Sequence, residues 1–206
     1  MSLRAELEAG LARLGLSLDA PRVEALLAYL DLMAKWNRVY NLTAIADPQR
    51  MLSHHLLDSL AVLPHIDAGR LLDVGSGAGL PGIPLALARP ELEVTLLEAS
   101  QKKAAFLQQA AIELKLDNVE AVHARAEDYR PRSPFPRIIS RAFSELADFV
   151  RLTAHLLAEG GRWLAMKGLY PQAEIGRLEG ARVIEVVRLA VPGLDAERHL
   201  VILERA

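Results

Sequence analysis

Hydrophobic positions in the first third of the chain recur every three or four residues, the spacing of one helix face. The pattern predicts three helices, and Asp19 and Asp47 are suitable N-caps for the second and third, each with a proline close behind it. The predicted bounds are residues 2–15, 19–36 and 47–63. Residues 37–43 break the pattern. We therefore predict that residues 1–65 form a helical cap that precedes the rest of the chain.

After residue 65 the pattern changes to short apolar runs that alternate with helical segments, which is typical of an α/β fold. Strands are predicted at 71–74, 93–97, 119–123, 137–140 and 163–166. Helices are predicted at 81–88, 101–115 and 144–157, with a turn at Gly160–Gly161. The last two apolar runs, 181–190 and 199–203, have no long helix between them and are predicted to pair as an antiparallel hairpin. Residues 66–206 should thus form a seven-stranded, mostly parallel sheet with one antiparallel strand, integrated with the cap as one unit.

Charge and composition narrow the possible partners. The net charge of −2 gives no overall basic footprint for nucleic acid. Between residues 102 and 141, eight Lys and Arg face five acids, an excess of three that fits either a local basic patch or an ordinary solvated surface. The absence of cysteine excludes disulfides and cysteine-based zinc sites. Apolar runs too short for a bilayer and a first segment without signal-peptide features predict a cytoplasmic protein with no membrane partner.

Candidate chemistry begins at a glycine turn that follows the first predicted strand, with Gly75, Gly77 and Gly79 at alternate positions. This spacing is neither the dinucleotide fingerprint nor a P-loop, which disfavours a nicotinamide dehydrogenase. Asp73 before the turn suits a ligand with a cationic amino group. Glu98 ends the second strand, where an acid can bind ribose hydroxyls. The pair predicts a pocket for a nucleoside joined to an amino acid, and a ligand-free turn with a helix-capping Glu98 stays open as the alternative.

Two further clusters have both a chemical and a structural interpretation. Ala126–Asp128 follows the third strand, where it could meet an adenine edge or cap a short helix. His54 and His55 are adjacent, so on a helix they should point to different faces, and we predict no metal site.

These residues resemble a known family. Leu71–Gly79, Glu98 and Ala126–Asp128 look like the S-adenosylmethionine motifs of Rossmann-like class I methyltransferases, which have helices on both faces of the sheet. Nearly the whole chain is similar to the RsmG (GidB) family of 16S ribosomal RNA guanine-N7 methyltransferases. The segments that carry this second resemblance are Trp36–Asn37, Asn41–Thr43, His54–Leu60, Gly75–Pro84, Ser140–Phe143, Met166–Gly168 and Glu197–Leu200.

The resemblance implies S-adenosyl-L-methionine as the cofactor. It places the cofactor contacts at Gly75, Leu80, Glu98, Ala126, Glu127 and Arg141. Asp73 and Gly77 are added as cofactor contacts because they belong to the glycine turn and the acid before it. Asn41 is a candidate catalytic residue that would hold the guanine edge, together with Arg141. The RNA-contact hypothesis adds Thr43, His54, Asp58, Lys167 and Arg198.

Each substrate-side residue also has a plain structural interpretation: Asn41 as a turn residue, Asp58 as a surface charge on a helix, and Lys167 as a solvated strand end. Guanine N7 carries no proton, so its methylation needs no general base and no metal. The implied partner is 16S ribosomal RNA, as a 30S subunit or an assembly intermediate rather than naked RNA, with the enzyme a monomer.

Two other functions remain compatible with the sequence. A methyltransferase of small molecules or proteins would suit the acidic net charge. A non-enzymatic regulator could use the same fold as a binding scaffold, because fold alone does not fix function. Measuring methyl transfer to separate RNA, protein and metabolite fractions distinguishes an RNA methyltransferase from one that acts on small molecules or proteins. A calorimetric test of cofactor binding distinguishes an enzyme from a non-enzymatic regulator.

Overall fold

The computed structural model describes residues 2–143 and 145–206, in which seven strands form one mixed sheet. The strands are β1 Gly69–Val74, β2 Leu92–Glu98, β3 Val119–His123, β4 Phe135–Ser140, β5 Leu157–Lys167, β6 Ala181–Arg188 and β7 His199–Arg205. Their order is β3-β2-β1-β4-β5-β7-β6, and β7 runs antiparallel to both of its neighbours while the other pairings are parallel. The predicted sheet is therefore confirmed, including its terminal hairpin and its one antiparallel strand.

Helices cover both faces of this sheet. They are α1 Leu3–Arg13, α2 Ala20–Tyr40, α3 Pro48–Met51, α4 Asp58–Leu60, α5 Gly82–Ala88, α6 Gln101–Glu113, α7 Leu146–Thr153 and α8 Gln172–Ile175. A π-helical segment, Leu52–Leu57, joins α3 to α4. Short 3₁₀ turns follow at Leu63–His65 and Ala154–Leu156. Among the described residues, no helix is long and apolar enough to cross a bilayer.

Successive side chains along each strand point to opposite faces of the sheet, so the interior consists of two hydrophobic layers. Leu71 and its equivalents on neighbouring strands pack with α1 to α6, whereas Leu72 and its equivalents pack with α7. The N-terminal helices therefore share a core with the sheet. Tyr29 of α2 is fully buried, and its hydroxyl donates to the carbonyl oxygen of Ala78 at 2.5 Å. This contact fixes the helical cap directly to the glycine turn.

Several predicted boundaries are wrong. The second helix does not end near Trp36 but continues to Tyr40, because Trp36 stacks on Tyr40 at 5.0 Å and meets Phe106 at 5.6 Å, which packs the last turn onto α6. The predicted turn at Gly160–Gly161 lies inside β5. The pairing of β4 with β5 shifts register there, so a bulge with Gly160 at φ 68° bends the strand without ending it.

The helix predicted at 144–157 is also shorter than expected. Ser144, its predicted first residue, lies outside the described residues. The helix observed in this region, α7, ends at Thr153, and Leu157 already pairs in β5 with Phe135. The hydroxyl of Thr153 donates to the Phe149 carbonyl and accepts from the Trp163 indole, so it links the end of this helix to the next strand.

Candidate active site

Three adjoining cavities lie along the carboxyl edge of the sheet, where the strand order reverses between β1 and β4. The acidic cavity, about 260 Å³, is lined by Val74, Gly75, Leu97, Glu98, Ala99, Ala124, Arg125, Ala126, Glu127, Ala142, Phe143 and Leu152. The turn cavity, about 170 Å³, is lined by Leu42, Thr43, His55, Gly75, Ser76, Gly77, Ala78, Leu80, Arg141 and Ala142. The cationic cavity, about 370 Å³, is lined by Ile45, His54, His55, Asp58, Arg141, Met166, Lys167, Gly168 and Arg198. Shared lining residues connect the three into one series.

A fourth, larger cavity of about 730 Å³ lies between the end of α1 and the connection from β6 to β7. It shares no lining residue with the other three. Its walls carry charges of both signs, with Arg13 and Arg188 against Asp195 and Glu197. The candidate chemistry lies in the three smaller cavities, so size alone does not locate the site.

The glycine turn forms the floor between the acidic and turn cavities. Gly75 has φ 71°, and a Cβ there would lie 2.8 Å from the Cβ of Ala142. Gly77 has φ 59°, and a Cβ there would meet nothing closer than the Gly75 carbonyl oxygen at 3.9 Å. Both positions thus need the left-handed conformation that glycine adopts without strain. A ligand can approach the backbone at Gly77, where a side chain would otherwise project.

Glu98 connects this turn to the end of β2. One carboxylate oxygen accepts from the Gly77 N–H at 2.8 Å, and the other accepts from the Ser100 N–H at 2.8 Å, at the start of α6. The side chain is buried but lines the acidic cavity. Since a carboxylate oxygen has two acceptor positions, each oxygen keeps one for a ligand. Glu98 therefore binds the backbone at the start of α6 and still offers acceptor positions to a ligand in the acidic cavity.

Asp73 lies behind the turn rather than in a cavity wall. Its side chain is fully buried, one oxygen accepts from the Gly82 N–H at 3.0 Å, and the other has no partner among the described residues. Burial raises the pKa of this carboxyl to about 7, and the hydrogen bond from Gly82 opposes that rise. Asp73 supports the turn from below, and its predicted direct contact with a cofactor amino group remains a prediction.

The turn after β4 closes the other side of the glycine floor. The Ser140 hydroxyl donates to the Val74 carbonyl at 2.7 Å and accepts from the Ala142 N–H at 3.1 Å. These bonds hold Ala142 against Gly75. They also fix the backbone of Arg141, whose side chain lines both the turn cavity and the cationic cavity.

Asp58 is the electrostatic centre of the cationic cavity. Its carboxylate is 2% exposed and accepts from Arg141 Nη1 at 3.1 Å and from Arg198 Nε at 3.0 Å, one arginine per oxygen. Arg141 also donates to the His54 carbonyl at 3.1 Å. One buried acid thus orients two arginines that lie on loops far apart in the sequence. The surface-charge interpretation of Asp58 is wrong.

His55 is a neutral residue at the junction of the turn and cationic cavities. Its Nε2 lies 2.9 Å from the Thr43 hydroxyl, and Thr43 N donates to the Asn37 side-chain oxygen at 2.8 Å. Burial first, and the nearby Arg141 guanidinium second, lower the pKa of His55 to about 4. The imidazole therefore carries no charge at neutral pH.

Lys167 completes the cationic cavity from the end of β5. Its ammonium contacts Glu174 at 2.7 Å and donates to the Phe143 carbonyl at 3.3 Å. Glu174 in turn accepts a hydrogen bond of 2.8 Å from the N–H of Leu146, which is the first residue of α7. Lys167 is thus engaged within the protein, and the interpretation as a solvated strand end is wrong.

Most residues singled out in the sequence come together here. All of the predicted cofactor residues except Asp73 line the acidic or turn cavity, and all of the predicted RNA residues line the turn or cationic cavity. Asn41 lines none of the three. It is exposed and is the C-cap of α2 at φ 51°, which agrees with the turn interpretation.

Sequence reasoning missed three residues that organise the site: Asn37, His55 and Glu174. For His55 the sequence raises only metal binding together with His54, and it argues against that role because adjacent residues on a helix should point to different faces. In the π-helical segment both line the cationic cavity. No sequence signal marks that helix distortion. Among the described residues, no group of three His, Asp or Glu side chains could hold a metal ion.

The local excess of basic residues between 102 and 141 does not surround these cavities as a whole. Arg137 pairs with Asp67 at 2.5 Å, near the amino end of β4. Arg130 donates to the carbonyls of Glu127 and Tyr129. Of the cations in that stretch, only Arg125 and Arg141 line a described cavity of the series.

Solved structures show the class to which this fold belongs. The chain is similar to the glycopeptide N-methyltransferase MtfA in complex with S-adenosyl-L-homocysteine, with a TM-score of 0.64, 14% identity and coverage of 74% of this chain and 87% of that one. An S-adenosylmethionine-dependent methyltransferase from Geobacter sulfurreducens matches with a TM-score of 0.56, 18% identity and coverage of 87% and 98%. The fold is that of a class I methyltransferase.

Sequence relatives define the family within that class. The model of the GidB family, described as rRNA small subunit methyltransferase G, matches residues 22–201. Proteins named ribosomal RNA small subunit methyltransferase G are 57% identical in Methylobacillus flagellatus and 59% identical in Laribacter hongkongensis, with 98% of both chains covered in each comparison. A protein of the same name from Neisseria meningitidis serogroup A is 56% identical, with 100% of both chains covered. The chain belongs to this family.

Proposed function

We propose that this protein transfers a methyl group from S-adenosylmethionine to N7 of one specific guanine in 16S ribosomal RNA. Family membership supports the reaction class and the RNA. The observation that carries the proposal is the junction at His55 and Arg141, where a cavity floored by glycine backbone meets a cavity lined by cations. A methyl donor and a nucleotide can occupy adjoining spaces there.

The residues of the acidic and turn cavities fit S-adenosylmethionine. Gly77 leaves backbone exposed where a Cβ would fill the space, and Glu98 keeps acceptor positions for ribose hydroxyls. The residues that would hold the cofactor are Gly75, Gly77, Leu80, Glu98, Ala126, Glu127 and Arg141, with Asp73 behind the turn. When bound, S-adenosylmethionine supplies a methyl group on a positively charged sulfur, which a neutral ring nitrogen can attack.

The chain's contribution to the reaction is orientation rather than proton transfer. Guanine N7 has an in-plane lone pair and no proton, so no general base is required. Correct placement of two reactants is worth about 7–11 kcal/mol in favourable cases. His55 lines both the turn and cationic cavities and stays neutral, so it adds no positive charge next to a positively charged methyl donor.

The cationic cavity supports an RNA substrate. Arg141, Lys167 and Arg198 line it, and among the described residues Asp58 is the carboxylate in its wall. Cations of this kind position phosphates without reading sequence. Because side chains cannot enter the deep major groove of A-form RNA, the guanine must lie in a loop or be splayed out. Asn41, Thr43, His54, Asp58, Lys167 and Arg198 remain the candidate substrate-side residues, with Asn41 and Arg141 the candidate catalytic ones.

We place the protein in the cytoplasm as a monomer that acts on the 30S subunit or an assembly intermediate. The net charge of −2 and the confined cationic cavity support the particle over naked RNA as the substrate, since charge alone would attract naked RNA weakly.

The decisive experiment maps N7-methylguanine in 16S RNA by chain cleavage at the modified base, after incubation with enzyme and S-adenosylmethionine. We expect one modified guanine in 30S particles and a lower rate on naked 16S RNA. Methyl transfer to protein or small molecules instead of RNA would refute the proposed substrate. Equal rates on 30S particles and naked RNA would refute the preference for the particle.

A further inference from the structure

Two large apolar side chains stand exposed at the rim of the cationic cavity. Leu169 is 76% exposed and Tyr170 is 49% exposed. They directly follow Lys167 and Gly168, which line the cavity. The other exposed large apolar residues of the described chain are Ile112 on α6, Ile184 on β6, and Val39 and Tyr40 in the last turn of α2. Tyr40 stacks on Trp36 of its own helix, and neither Val39 nor Tyr40 adjoins the cationic cavity in sequence. Exposed apolar residues scattered singly are normal, but an adjacent pair beside a charged cavity suggests a binding surface.

The backbone and the aromatic ring of this pair are held in place. The Tyr170 ring packs edge-on against His199, with 5.7 Å between ring centroids and 90° between planes. His199 Nδ1 lies 2.9 Å from the Gly168 carbonyl oxygen, and Gln172 N donates to the Tyr170 carbonyl at 3.0 Å. A ring fixed before binding loses little conformational entropy when a partner stacks on it.

The charge beside this surface favours a nucleic acid as its occupant. Arg198 and Lys167 lie on the adjoining cavity wall. Aromatic side chains next to cations are the usual means of binding single-stranded nucleic acid, with bases on the rings and phosphates on the cations. A guanine splayed into the cavity leaves its neighbours in the RNA without their stacking partner. An exposed ring at the cavity rim can replace that partner.

We propose that Leu169 and Tyr170 form a stacking platform for a nucleotide that flanks the target guanine. This inference rests on the proposed function. It assigns to the pair a role in binding the RNA around the methylated base, separate from the cofactor cavities and from the cations that contact phosphates.

The first test is Tyr170→Ala, with methylation of 30S particles measured as a function of particle concentration. We expect KM for 30S to rise about 5- to 20-fold, the lower part of the range for base–aromatic stacking. Tyr170→Phe keeps the ring and should stay within about twofold of the wild-type protein. The matched control is Ile112→Ala, an exposed apolar residue outside the cavities. The affinity for S-adenosylmethionine, measured by calorimetry, should be unchanged in all three variants.

An unchanged KM in Tyr170→Ala, or an equal rise in Ile112→Ala, would overturn the platform. If the wild-type protein itself fails to methylate 16S RNA, the proposed function falls first, and the two failures are thus distinguishable. A second measurement places a photoreactive benzoyl-phenylalanine at position 170. We expect its crosslink to 16S RNA next to the methylated guanine, whereas a crosslink only to a ribosomal protein would contradict a nucleotide occupant.

Discussion

The two halves of the site are built in different ways. The floor of the cofactor half comes from one short stretch, Gly75–Leu80, and its shape depends on backbone conformation. The cationic half assembles side chains from the π-helical segment, the turn after β4, the end of β5 and the loop before β7. Asp58 and Arg198 are in contact although 140 positions separate them.

This difference predicts how each half fails. A backbone-built pocket fails when a side chain is added, because the left-handed turn and the close contact with Ala142 leave no space. A side-chain-built cavity fails when a shared partner is removed, because several cations lose their orientation together. Substitutions should therefore separate loss of cofactor binding from loss of RNA binding.

The largest expected effect comes from Gly75→Ala. The left-handed strain and the contact at 2.8 Å with the Cβ of Ala142 together cost about 2–5 kcal/mol. We expect the affinity for S-adenosylmethionine, measured by calorimetry, to fall roughly 100-fold, with methylation lost at ordinary cofactor concentrations.

The matched control is Gly180→Ala. Gly180 also has a positive φ of 73°, but nothing lies within 4 Å of a Cβ there, and it is outside the cavities. It should lower stability by about 1 kcal/mol and leave cofactor affinity unchanged. Equal cofactor affinities in the two variants would show that the turn at Gly75 is not part of the pocket.

The second effect comes from Asp58→Ala. Removing the shared carboxylate leaves Arg141 and Arg198 without their ion-pair partner, and both are about a quarter exposed and can turn to solvent. We expect the free energy of unfolding to fall by about 2 kcal/mol, less than for a fully buried pair, and KM for 30S to rise about tenfold.

Asp148→Ala is the control for that change, since it breaks an exposed pair with Arg151 and should cost less than about 1 kcal/mol. A larger loss of cofactor affinity than of RNA binding in Asp58→Ala would show that this acid serves the cofactor half instead.

The sequence predicted Gly75, Gly77 and Glu98, which line the acidic and turn cavities, because their signals are local. Glycines at fixed spacing and an acid at a strand end are readable without knowing what packs against them. It predicted the residues of the cationic half through family resemblance, but not their partners. The pairing of Asp58 with two distant arginines depends on tertiary structure, and so does the bulge that carries β5 through Gly160 and Gly161. The local count of basic residues could not decide between a basic patch and a solvated surface, because it does not show that Arg137 contacts the chain's own Asp67.

The third effect is a pair of opposite pH dependences. The pKa of His55 is about 4 when folded and 6.5 when unfolded, so the unfolded state binds the extra proton and stability rises between pH 4 and 6.5. The contribution between pH 5 and 7.5 is about 2 kcal/mol. His55→Asn should lose that rise, measured by urea unfolding at several pH values. A slope identical to that of the wild-type protein would show that His55 is not buried as a neutral ring.

Asp73 should act with the opposite sign. Its folded pKa of about 7 exceeds the unfolded value of 3.8, so the folded state keeps the proton and stability falls as pH rises between 4 and 7. The wild-type protein should lose about 2.5 kcal/mol of stability through Asp73 between pH 5 and 7.5, and Asp73→Asn should abolish this loss. In the wild-type protein the two contributions nearly cancel over this range. If each single variant kept the wild-type slope, both assignments would be wrong.

The smallest expected effect is at Asn41, a candidate catalytic residue that the structure places at the C-cap of α2, outside the three cavities. Glycine adopts the observed φ of 51° without strain, so Asn41→Gly keeps the backbone and removes only the side chain. If the residue is a cap, kcat and KM for 30S should stay within about twofold of the wild-type values, because no bond to the substrate is lost. A kcat reduced tenfold or more, with stability and cofactor affinity unchanged, would establish a direct role for the amide at the guanine edge. The backbone at position 41 would then have to bring that amide into the cationic half of the site when RNA binds.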